Sequence, residues 1–191
     1  MAKTLYLTYK AYNQRWDGSE YIELLDANVK FNPDGKEDYM YLYGCSRSSV
    51  ACILSNLNGK EISPLYIPHN DGYVTFNTIP THPNIIAVSK SVTFTETTGT
   101  TSTNYLSKIK ENIDANRPVI LRCCRNNSAV KHFVVAYGYN NSCTSISDVK
   151  TYDTIASNAS STPKYGQDGT LYNVFDLNNM NYVDYMFTYK S

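Results

Sequence analysis

The sequence predicts an α+β domain in which two helices precede an antiparallel sheet. Apolar residues recur at helical spacing after Cys45 and again after residue 100, and β-branched runs follow from Pro118 onward. Turn-forming residues, such as the Asn-Asn-Ser after Arg125, separate those later runs as expected of hairpins. Helices first and neighbouring strands afterwards are typical of the α+β class.

Composition is that of an ordinary folded protein and argues against some partners. The 191 residues are 42% hydrophobic and 18% charged, which suits one domain over residues 1–191 better than a disordered chain. The formal net charge is +0, which argues against nucleic acid or an anionic membrane as the main partner. The 18 tyrosines favour strands and also suit a polar-tipped surface that contacts peptide or carbohydrate.

The amino terminus and the hydropathy pattern bear on location. The first seven residues, Met-Ala-Lys-Thr-Leu-Tyr-Leu, are too short and too polar for a signal peptide, and no apolar run approaches a membrane span. A soluble protein is expected, either cytoplasmic or a secreted form whose leader has been removed. The sequence does not separate these compartments, and it leaves the oligomeric state open.

The first elements are a short strand, a loop and a helix. Residues 4–8 alternate as in a strand, and the Asp, Asn, Gly and Pro within residues 17–43 predict mostly loop. A helix is predicted from near Cys45, with serine oxygens at positions 46, 48 and 49 as caps. Gly59 is expected to end it in the left-handed conformation. The buried stripe of this helix consists of Val50, Ile53, Leu54 and Leu57.

An irregular region and a second helix follow. Residues 62–98 contain several Pro, Asn and Gly, and the β-branched runs at 85–88 and 92–95 predict short strands or turns. The second helix is expected to open within residues 100–104 and to bury Leu106, Ile109 and Ile113. It should end before Arg117, because Pro118 disfavours helix at the residue preceding it.

The last part of the chain predicts the sheet. Residues 118–124 and 131–139 are two strands separated by a polar turn, so they are expected to form a hairpin. Residues 147–152 predict a third strand. The stretch 156–168, rich in Ser, Thr, Asn and Gly, predicts a loop, and residues 170–177 and 182–189 predict closing strands.

Cys45 is the most informative residue for chemistry. A thiol is a useful nucleophile only when part of it is thiolate. The start of a helix favours the anion through unpaired amides and the positive end of the dipole. Gly44 immediately before it permits a sharp entry and close approach of a substrate. The alternative is that Cys45 is simply a small buried hydrophobic residue.

The other cysteines do not predict a metal site, a disulfide framework or a cofactor. With five cysteines in all, at least one thiol stays free in a monomer. Cys52 lies two turns along the same helix and suggests a packed core thiol. Adjacent Cys123 and Cys124 point to opposite faces of a strand, so their spacing is not that of a zinc knuckle.

A thiolate nucleophile needs a base, and the chain has three histidines. His69 and His82 lie in loop-like sequence and are expected at the surface. His132 opens an apolar strand, where one ring edge stays open while the rest is held rigidly, as general-base work requires. A strand-end histidine satisfied by a backbone carbonyl is the alternative.

A catalytic histidine is usually oriented by a hydrogen-bond acceptor. Asp153 is at the end of the strand that follows the His132 strand. If the two strands are antiparallel neighbours, Asp153 can lie beside His132 at the start of the earlier strand. Asp148 and Asn140 compete for this role, and Asp153 is alternatively a turn residue.

Three stretches of the chain carry a family resemblance. The stretches are Tyr12-Asn-Gln-Arg-Trp16, Tyr43-Gly-Cys-Ser-Arg-Ser-Ser-Val-Ala-Cys-Ile-Leu-Ser55, and Arg117-Pro-Val-Ile-Leu121 followed by His132-Phe-Val-Val-Ala-Tyr-Gly-Tyr139 and Thr151-Tyr-Asp-Thr154. They resemble papain-like cysteine peptidases related to the bacterial double-glycine leader peptidases. In that family the corresponding segments are the early glutamine segment, the nucleophile helix, and the histidine hairpin with its aspartate strand. The resemblance covers about residues 5–154 and leaves 155–191 as a loop with closing strands.

The resemblance implies a papain-like fold with the nucleophile helix packed on an antiparallel sheet, and a role for each matched residue. Cys45 would be the nucleophile, His132 its base and Asp153 the group that orients the histidine. Gln14 would donate its side-chain amide to the developing oxyanion beside the backbone N–H of Cys45. Trp16 would pack near the site.

The sequence departs from the family pattern at two places. The family has Gly-Cys-Gly-Pro-Thr or a close variant at the nucleophile, where this chain has Gly-Cys-Ser-Arg-Ser. Arg47 could therefore narrow the site or bind an acidic group of the substrate. The family's aspartate is usually followed by proline, where this chain has Thr154.

These residues support a thiol-dependent hydrolase that cleaves a peptide or amide bond through an acyl-enzyme on Cys45, with a peptide or protein as substrate and no cofactor. A catalytically inactive papain-like module that binds peptide, glycan or cell-wall material is the alternative, motivated by the altered nucleophile motif and the tyrosines. Thiol redox activity would rest on Cys123 and Cys124 but lacks a Cys-x-x-Cys motif.

Overall fold

The computed structural model describes residues 1–13, 44–70, 73–98, 102–124, 131–155, 165–176 and 183–190. Gln14, Trp16, the predicted loop 17–43 and the predicted hairpin turn at 125–129 lie outside these residues. Within them the α+β class is confirmed. The helices are α1 (Cys45–Asn58), α2 (Pro83–Val88) and α3 (Ser102–Asp114). The strands are β1 (Lys3–Thr4), β2 (His69–Asn70), β3 (Tyr73–Val74), β4 (Thr93–Thr98), β5 (Val119–Cys124), β6 (Lys131–Tyr139), β7 (Val149–Asp153), β8 (Gln167–Thr170) and β9 (Val183–Lys190).

An antiparallel sheet of seven strands forms the frame of the described residues. Its order is β4-β9-β5-β6-β7-β8, and β1 pairs with β6 beside this path. The predicted hairpin is confirmed, since β5 and β6 pair antiparallel from Val119↔Ala136 to Cys124↔Lys131. Strand β9 lies between β4 and β5, so it pairs with two strands that come much earlier in the chain.

Helix α1 covers one face of the sheet, as its sequence pattern predicts. The first eleven residues of α1 are buried, and Val50, Ile53 and Leu54 are completely so. Gly59 ends the helix at φ 64°, and its N–H donates to the carbonyl of Ser55. The conformation is one that residues with a Cβ rarely adopt, which explains glycine here.

The predicted serine caps of α1 are wrong. The N-cap is Gly44, and no side chain makes a capping hydrogen bond. Ser46 Oγ instead accepts from the N–H of Val74 at 3.4 Å. The hydroxyls of Ser48 and Ser49 are buried without a hydrogen-bond partner in the described part of the chain. The helix start is held by burial rather than by a local cap.

Helix α3 covers the other face of the sheet. Its stripe of Leu106, Ile109 and Ile113 is buried against residues of β5 and β6, as predicted. The helix ends at Asp114, and Asn116 takes a left-handed φ of 59°. The predicted end before Arg117 is confirmed.

Three predicted strands differ from the structure. Residues 85–88 belong to helix α2, where Pro83 stands in the first helical turn and favours helix initiation. Residues Leu171–Asp176 form a 3₁₀ helix, and the Asn173 side chain accepts hydrogen bonds from the N–H and hydroxyl of Thr170 at its start. The first strand is only Lys3–Thr4: the N–H of Leu5 still donates to the carbonyl of Tyr137 in β6, but Tyr6 beyond it is exposed.

No helix in the described ranges combines the length and the apolar character needed to cross a membrane.

Candidate active site

Cys45 is the first residue of α1. The N–H of Ser48 donates to the carbonyl of Gly44 at 2.8 Å, so the amides of the residues before Ser48 have no acceptor within the helix. No acidic residue lies in the first turn. The sulfur therefore lies at the positive end of the helix dipole, the setting in which nucleophilic thiolates occur, and the side chain is only 5% exposed.

His132 lies near the start of β6 and is buried, with 3% of the residue exposed. Its Nε2 and Oδ1 of Asp153 are 2.6 Å apart. The register explains the contact, because Val134 pairs with Asp153 and His132 lies two residues before Val134 on the same side of β6. The ring is therefore held by the carboxylate on the neighbouring strand.

The side chain of His132 also interacts with that of Cys45, and this interaction raises the pKa of His132. Burial lowers the pKa of His132, but the hydrogen bonds to Asp153 and Cys45 and the charges of these groups outweigh it and raise the pKa to about 10. The arrangement favours the imidazolium form of His132 at neutral pH.

The carboxylate of Asp153 is fixed from its own strand as well. The N–H of Ile155 donates to Oδ1 at 2.8 Å, so one oxygen accepts from both the backbone and the imidazole. The hydroxyl of Thr154 donates to the carbonyl of Phe133 at 3.1 Å, which ties the end of β7 to β6. Thr154, where the family usually has proline, thus stabilises the strand that carries Asp153.

The two competing acceptors lie in a turn and not beside His132. Asp148 accepts from the side chain of Asn141 and from the N–H groups of Thr144 and Ser145. Burial raises the pKa of Asp148, but these hydrogen bonds together lower it by more. The net pKa of Asp148 is therefore below its usual value. The N–H of Asn140 donates to the carbonyl of Asp148 in the same turn. Both residues stabilise this connection.

The structure thus brings Cys45, His132 and Asp153 together from three separate elements, while their catalytic roles stay predictions. His69 is exposed, as expected, whereas His82 is half-buried with its Nδ1 lacking a hydrogen-bond partner among the described residues.

Sequence reasoning missed Gly166, which lies against the backbone of Asp153. A Cβ added at Gly166 would lie 1.8 Å from the carbonyl oxygen of Asp153 and 2.8 Å from its carbonyl carbon. No side chain fits in that space. The sequence placed this residue in a polar loop, and only the pairing of Asp153 with Gln167 reveals why glycine is needed.

Replacing Gly166 by alanine is expected to separate β7 from β8 at Asp153 and to loosen the Asp153–His132 hydrogen bond. Labelling of Cys45 by an acyl electrophile should slow by about tenfold or more, because a misplaced orienting group costs that much in catalysis. Gly169→Ala is the matched control, since Gly169 lies in β8, three residues after Gly166, and its nearest neighbours are 4.0 Å from an added Cβ. Equal labelling by the two variants would contradict the role of Gly166.

The segment before Gln14 runs toward the aspartate. Near its start, Asn56 of α1 holds Tyr9 by two hydrogen bonds, of 2.7 and 3.2 Å. Further on, Tyr12 forms a β-bridge with Tyr165, and the N–H of Gly166 donates to the carbonyl of Ala11 at 2.9 Å. The chain therefore passes from α1 to the strand end at Asp153 just before Gln14.

Arg47 is buried, and its guanidinium donates to two main-chain oxygens. Nε donates to the carbonyl of Pro64 at 3.1 Å, and Nη2 donates to that of Leu65 at 3.1 Å. These bonds fix the 3₁₀ turn Pro64–Tyr66 against the first turn of α1. The predicted role of Arg47 in substrate binding stays a prediction, but these contacts already account for its position.

Arg47→Ala is expected to lower the free energy of unfolding by about 3 kcal/mol, because the buried carbonyl of Pro64 and the half-buried carbonyl of Leu65 lose a charged donor. Arg47→Lys should cost nearly as much, since one ammonium cannot reproduce the two-nitrogen geometry of the guanidinium. Urea unfolding followed by circular dichroism measures both. Lys60→Ala, at an exposed position just after α1, is the control and should change stability little. A stable Arg47→Ala protein would contradict this structural role.

The other four cysteines are buried, free and poorly suited to act as thiolates. Burial raises the pKa of Cys52 to about 12 and that of Cys143 to about 11. Burial also raises the pKa of Cys123 well above its usual range, and that of Cys124, where Lys131 opposes the effect. The prediction of Cys52 as a packed core thiol agrees with this environment.

A family model described as "Peptidase_C39 like family" matches residues 6–176, a range that extends beyond the motif-bearing residues 5–154. No curated protein matches. Among solved structures, the crystal structure of a proposed C39-like peptidase from Bacillus anthracis is similar, with 14% identity and a TM-score of 0.42, covering 86% of this chain and 96% of that one.

Proposed function

The chain belongs to the Peptidase_C39-like family, and we propose that it is a cysteine peptidase that hydrolyses a peptide or amide bond through an acyl-enzyme on Cys45. The observation that carries the proposal is the grouping of three side chains, in which His132 lies 2.6 Å from Asp153 and also interacts with Cys45. A nucleophile, a base and an orienting acceptor in hydrogen-bond contact are the parts that nucleophilic catalysis requires.

In the first step the Cys45 sulfur attacks the carbonyl carbon of the substrate as thiolate, with the proton held by His132. The carbonyl oxygen becomes an oxyanion. The backbone N–H of Cys45, which has no acceptor in the helix, is one donor for it, and the side-chain amide of Gln14 is the other. The course of residues 9–13 toward Asp153 supports this role for Gln14.

The intermediate then collapses to an acyl-enzyme. Nδ1 of His132 gives its proton to the leaving nitrogen, the C–N bond breaks, and an amine departs. Water next attacks the thioester while His132 takes a proton from it. The C–S bond breaks, the acid is released, and the thiolate of Cys45 and the imidazolium of His132 are restored.

Asp153 orients the imidazole and does not exchange a proton. Its hydrogen bond to Nε2 keeps Nδ1 directed at the sulfur, and its charge stabilises the imidazolium that forms. Trp16 is proposed to pack beside the site.

A direct test is incubation of the protein with a mixture of peptides, followed by mass spectrometry of the new amino termini. The proposal predicts cleavage products that appear with the native chain and not with Cys45→Ala. Equal amounts of product from the native chain and the variant, or no product from the native chain, would contradict the proposal.

A catalytically inactive peptide- or glycan-binding module is the second candidate. The observation that favours it is the burial of Cys45 and His132, which limits access of a substrate to the sulfur. Cys45 and His132 are 5% and 3% exposed. The two functions differ in one measurable property, since only the peptidase forms a covalent acyl adduct on Cys45.

A further inference from the structure

A groove of about 320 Å³ lies at the end of α1 that is far from Cys45, and its volume is at the small end of the range of ligand pockets. Its walls are the segment 5–8, the end of α1, the turn before β5 and the end of β9. We call it the tyrosine groove. Leu57, which lines it, follows Cys45 by twelve residues of α1, a distance of about 18 Å along the helix axis. The groove is therefore separate from the candidate active site.

The tyrosine groove is preformed, because its walls are fixed by the fold. At one end of the amino-terminal wall, the N–H of Leu5 donates to the carbonyl of Tyr137 at 2.9 Å. At the other end, the side chain of Asn56 binds the main chain of Tyr9 by hydrogen bonds of 2.7 and 3.2 Å. On the opposite wall, Asn116 is held in a turn after α3 with a left-handed φ of 59°. A preformed site loses less conformational freedom when a ligand binds.

The groove presents hydroxyl and amide groups to a ligand. Thr8 and Asn116 line it and are exposed. Tyr189 also lines it but is only 5% exposed, and its hydroxyl makes no hydrogen bond within the ranges that the structure describes. Burial raises the pKa of Tyr189 to about 12, so the hydroxyl stays protonated and can donate as well as accept. Since buried hydroxyls are normally paired, this one is a group that a ligand in the groove would satisfy.

Tyr6 adds an aromatic ring to the same groove. It is 91% exposed, more than any other aromatic side chain of the described residues. The face of an aromatic ring carries partial negative charge, so it attracts the slightly positive C–H groups on the face of a sugar ring. A ligand that covered this ring would also remove its apolar surface from water.

The lining limits the class of ligand. Among the described residues, none that lines the tyrosine groove carries a charge. An ionic ligand would therefore lose hydration without gaining an ion pair. An added peptide strand is also disfavoured, because only residues 6–8 separate the anchored Leu5 and Tyr9, fewer than the roughly five or six residues of a typical strand. A ligand that combines hydroxyl groups with an apolar ring face fits these groups best.

From these features we infer that the tyrosine groove binds a neutral sugar unit of a glycan, with the sugar ring on Tyr6 and its hydroxyls on Tyr189 and Asn116. This site lies apart from Cys45 and does not depend on the proposed peptidase function. Binding there would hold the protein, and with it the candidate active site, on material that carries such sugars.

The test is isothermal titration calorimetry of the native chain with neutral trisaccharides and with a neutral peptide. The trisaccharides are cellotriose, maltotriose, mannotriose and triacetylchitotriose, and the peptide is tetra-alanine blocked at both ends. At least one trisaccharide should bind with a dissociation constant in the millimolar range or below, and the peptide should not bind. Binding of no trisaccharide would overturn the inference. Binding of the peptide in a manner that requires Tyr6 would also overturn it, because the groove would then be a peptide site.

Variants connect the binding to the groove. Tyr6→Ala should weaken trisaccharide binding by about tenfold, as the loss of an aromatic contact provides, and Tyr6→Phe should weaken it less. Tyr189→Phe should weaken it by about three- to tenfold through one lost hydrogen bond, and it should keep the native unfolding midpoint. Tyr172→Ala removes a ring that is 48% exposed outside the groove, and this control should bind like the native chain. Native affinity in Tyr6→Ala, or equal losses in Tyr6→Ala and Tyr172→Ala, would overturn the inference.

The Cys45→Ala protein separates this inference from the proposed function. It should bind the trisaccharide with native affinity, because the groove lies at the other end of α1. Loss of binding in Cys45→Ala would place the sugar at the candidate active site and overturn the inference. If the native chain cleaves no peptide but binds the trisaccharide through Tyr6, the peptidase proposal fails while the sugar site stands.

Discussion

Replacing Cys45 by alanine is expected to abolish covalent labelling by an acyl electrophile at neutral pH. The expectation follows from the contrast between Cys45, at the head of α1 beside His132, and the other four thiols, whose pKa values burial raises. A thiol with a pKa of about 12, such as Cys52, holds only about 10⁻⁵ of its population as thiolate at pH 7. Intact mass spectrometry should show one adduct on the native chain and none on the variant.

Two controls give this experiment its meaning. Cys52→Ala and Cys143→Ala should each still take up one adduct at a rate close to that of the native chain. Far-ultraviolet circular dichroism should show that Cys45→Ala keeps the native helix and strand content, since alanine favours a helix and removes little volume. An adduct on Cys52 or Cys143 in the Cys45→Ala protein would contradict Cys45 as the nucleophile.

The second large effect concerns the titration of His132. Its hydrogen bond to Asp153 is the largest of the contributions that raise its pKa to about 10, so Asp153→Asn should lower that pKa markedly. With three histidines in the chain, NMR of histidine-labelled protein can follow each imidazole, and a His132→Asn sample assigns the signal. In the native chain the His132 signal should titrate near pH 10, and in Asp153→Asn at a lower pH.

Activity should follow the same shift. The imidazolium donates the proton to the leaving nitrogen, so turnover should fall as the pH rises through the pKa of His132. The alkaline side of the pH–rate profile should therefore move to lower pH in Asp153→Asn. Asp148→Asn is the matched control, because Asp148 serves only its turn, and it should leave the His132 titration in place. If both variants titrate like the native chain, Asp153 does not orient the histidine.

Stability should depend on pH through the same residue. His132 has a folded-state pKa of about 10 against an ordinary value of 6.5. A raised pKa means that the folded state binds the proton more tightly, so the stabilisation is complete below about pH 6.5 and is lost as the pH rises toward 10. Urea unfolding at a series of pH values should show the native chain losing a few kcal/mol over this window, and His132→Asn losing less.

Local sequence patterns were sufficient where an element depends on its own residues. The aliphatic stripe of α1 and its glycine end, and the strand pair β5–β6, follow from spacing and turn residues that lie within each segment. The 85–88 run failed because Pro83 in the first turn favours a short helix over the strand that its β-branched residues suggest. The serine caps failed because burial, rather than a local hydrogen bond, determines how α1 begins.

By itself, the sequence determined the α+β class, the family, and Cys45, His132 and Asp153 as candidates, because residue type and position within an element are local properties. Only the tertiary structure showed that Asp153 is the aspartate that contacts His132, revealed the space that requires Gly166, and packed the rings of Phe76, Phe94 and Phe187 together. Each of those features depends on strand register and on distances between residues far apart in the chain. The folded sheet fixes such distances, and residue spacing along the sequence does not.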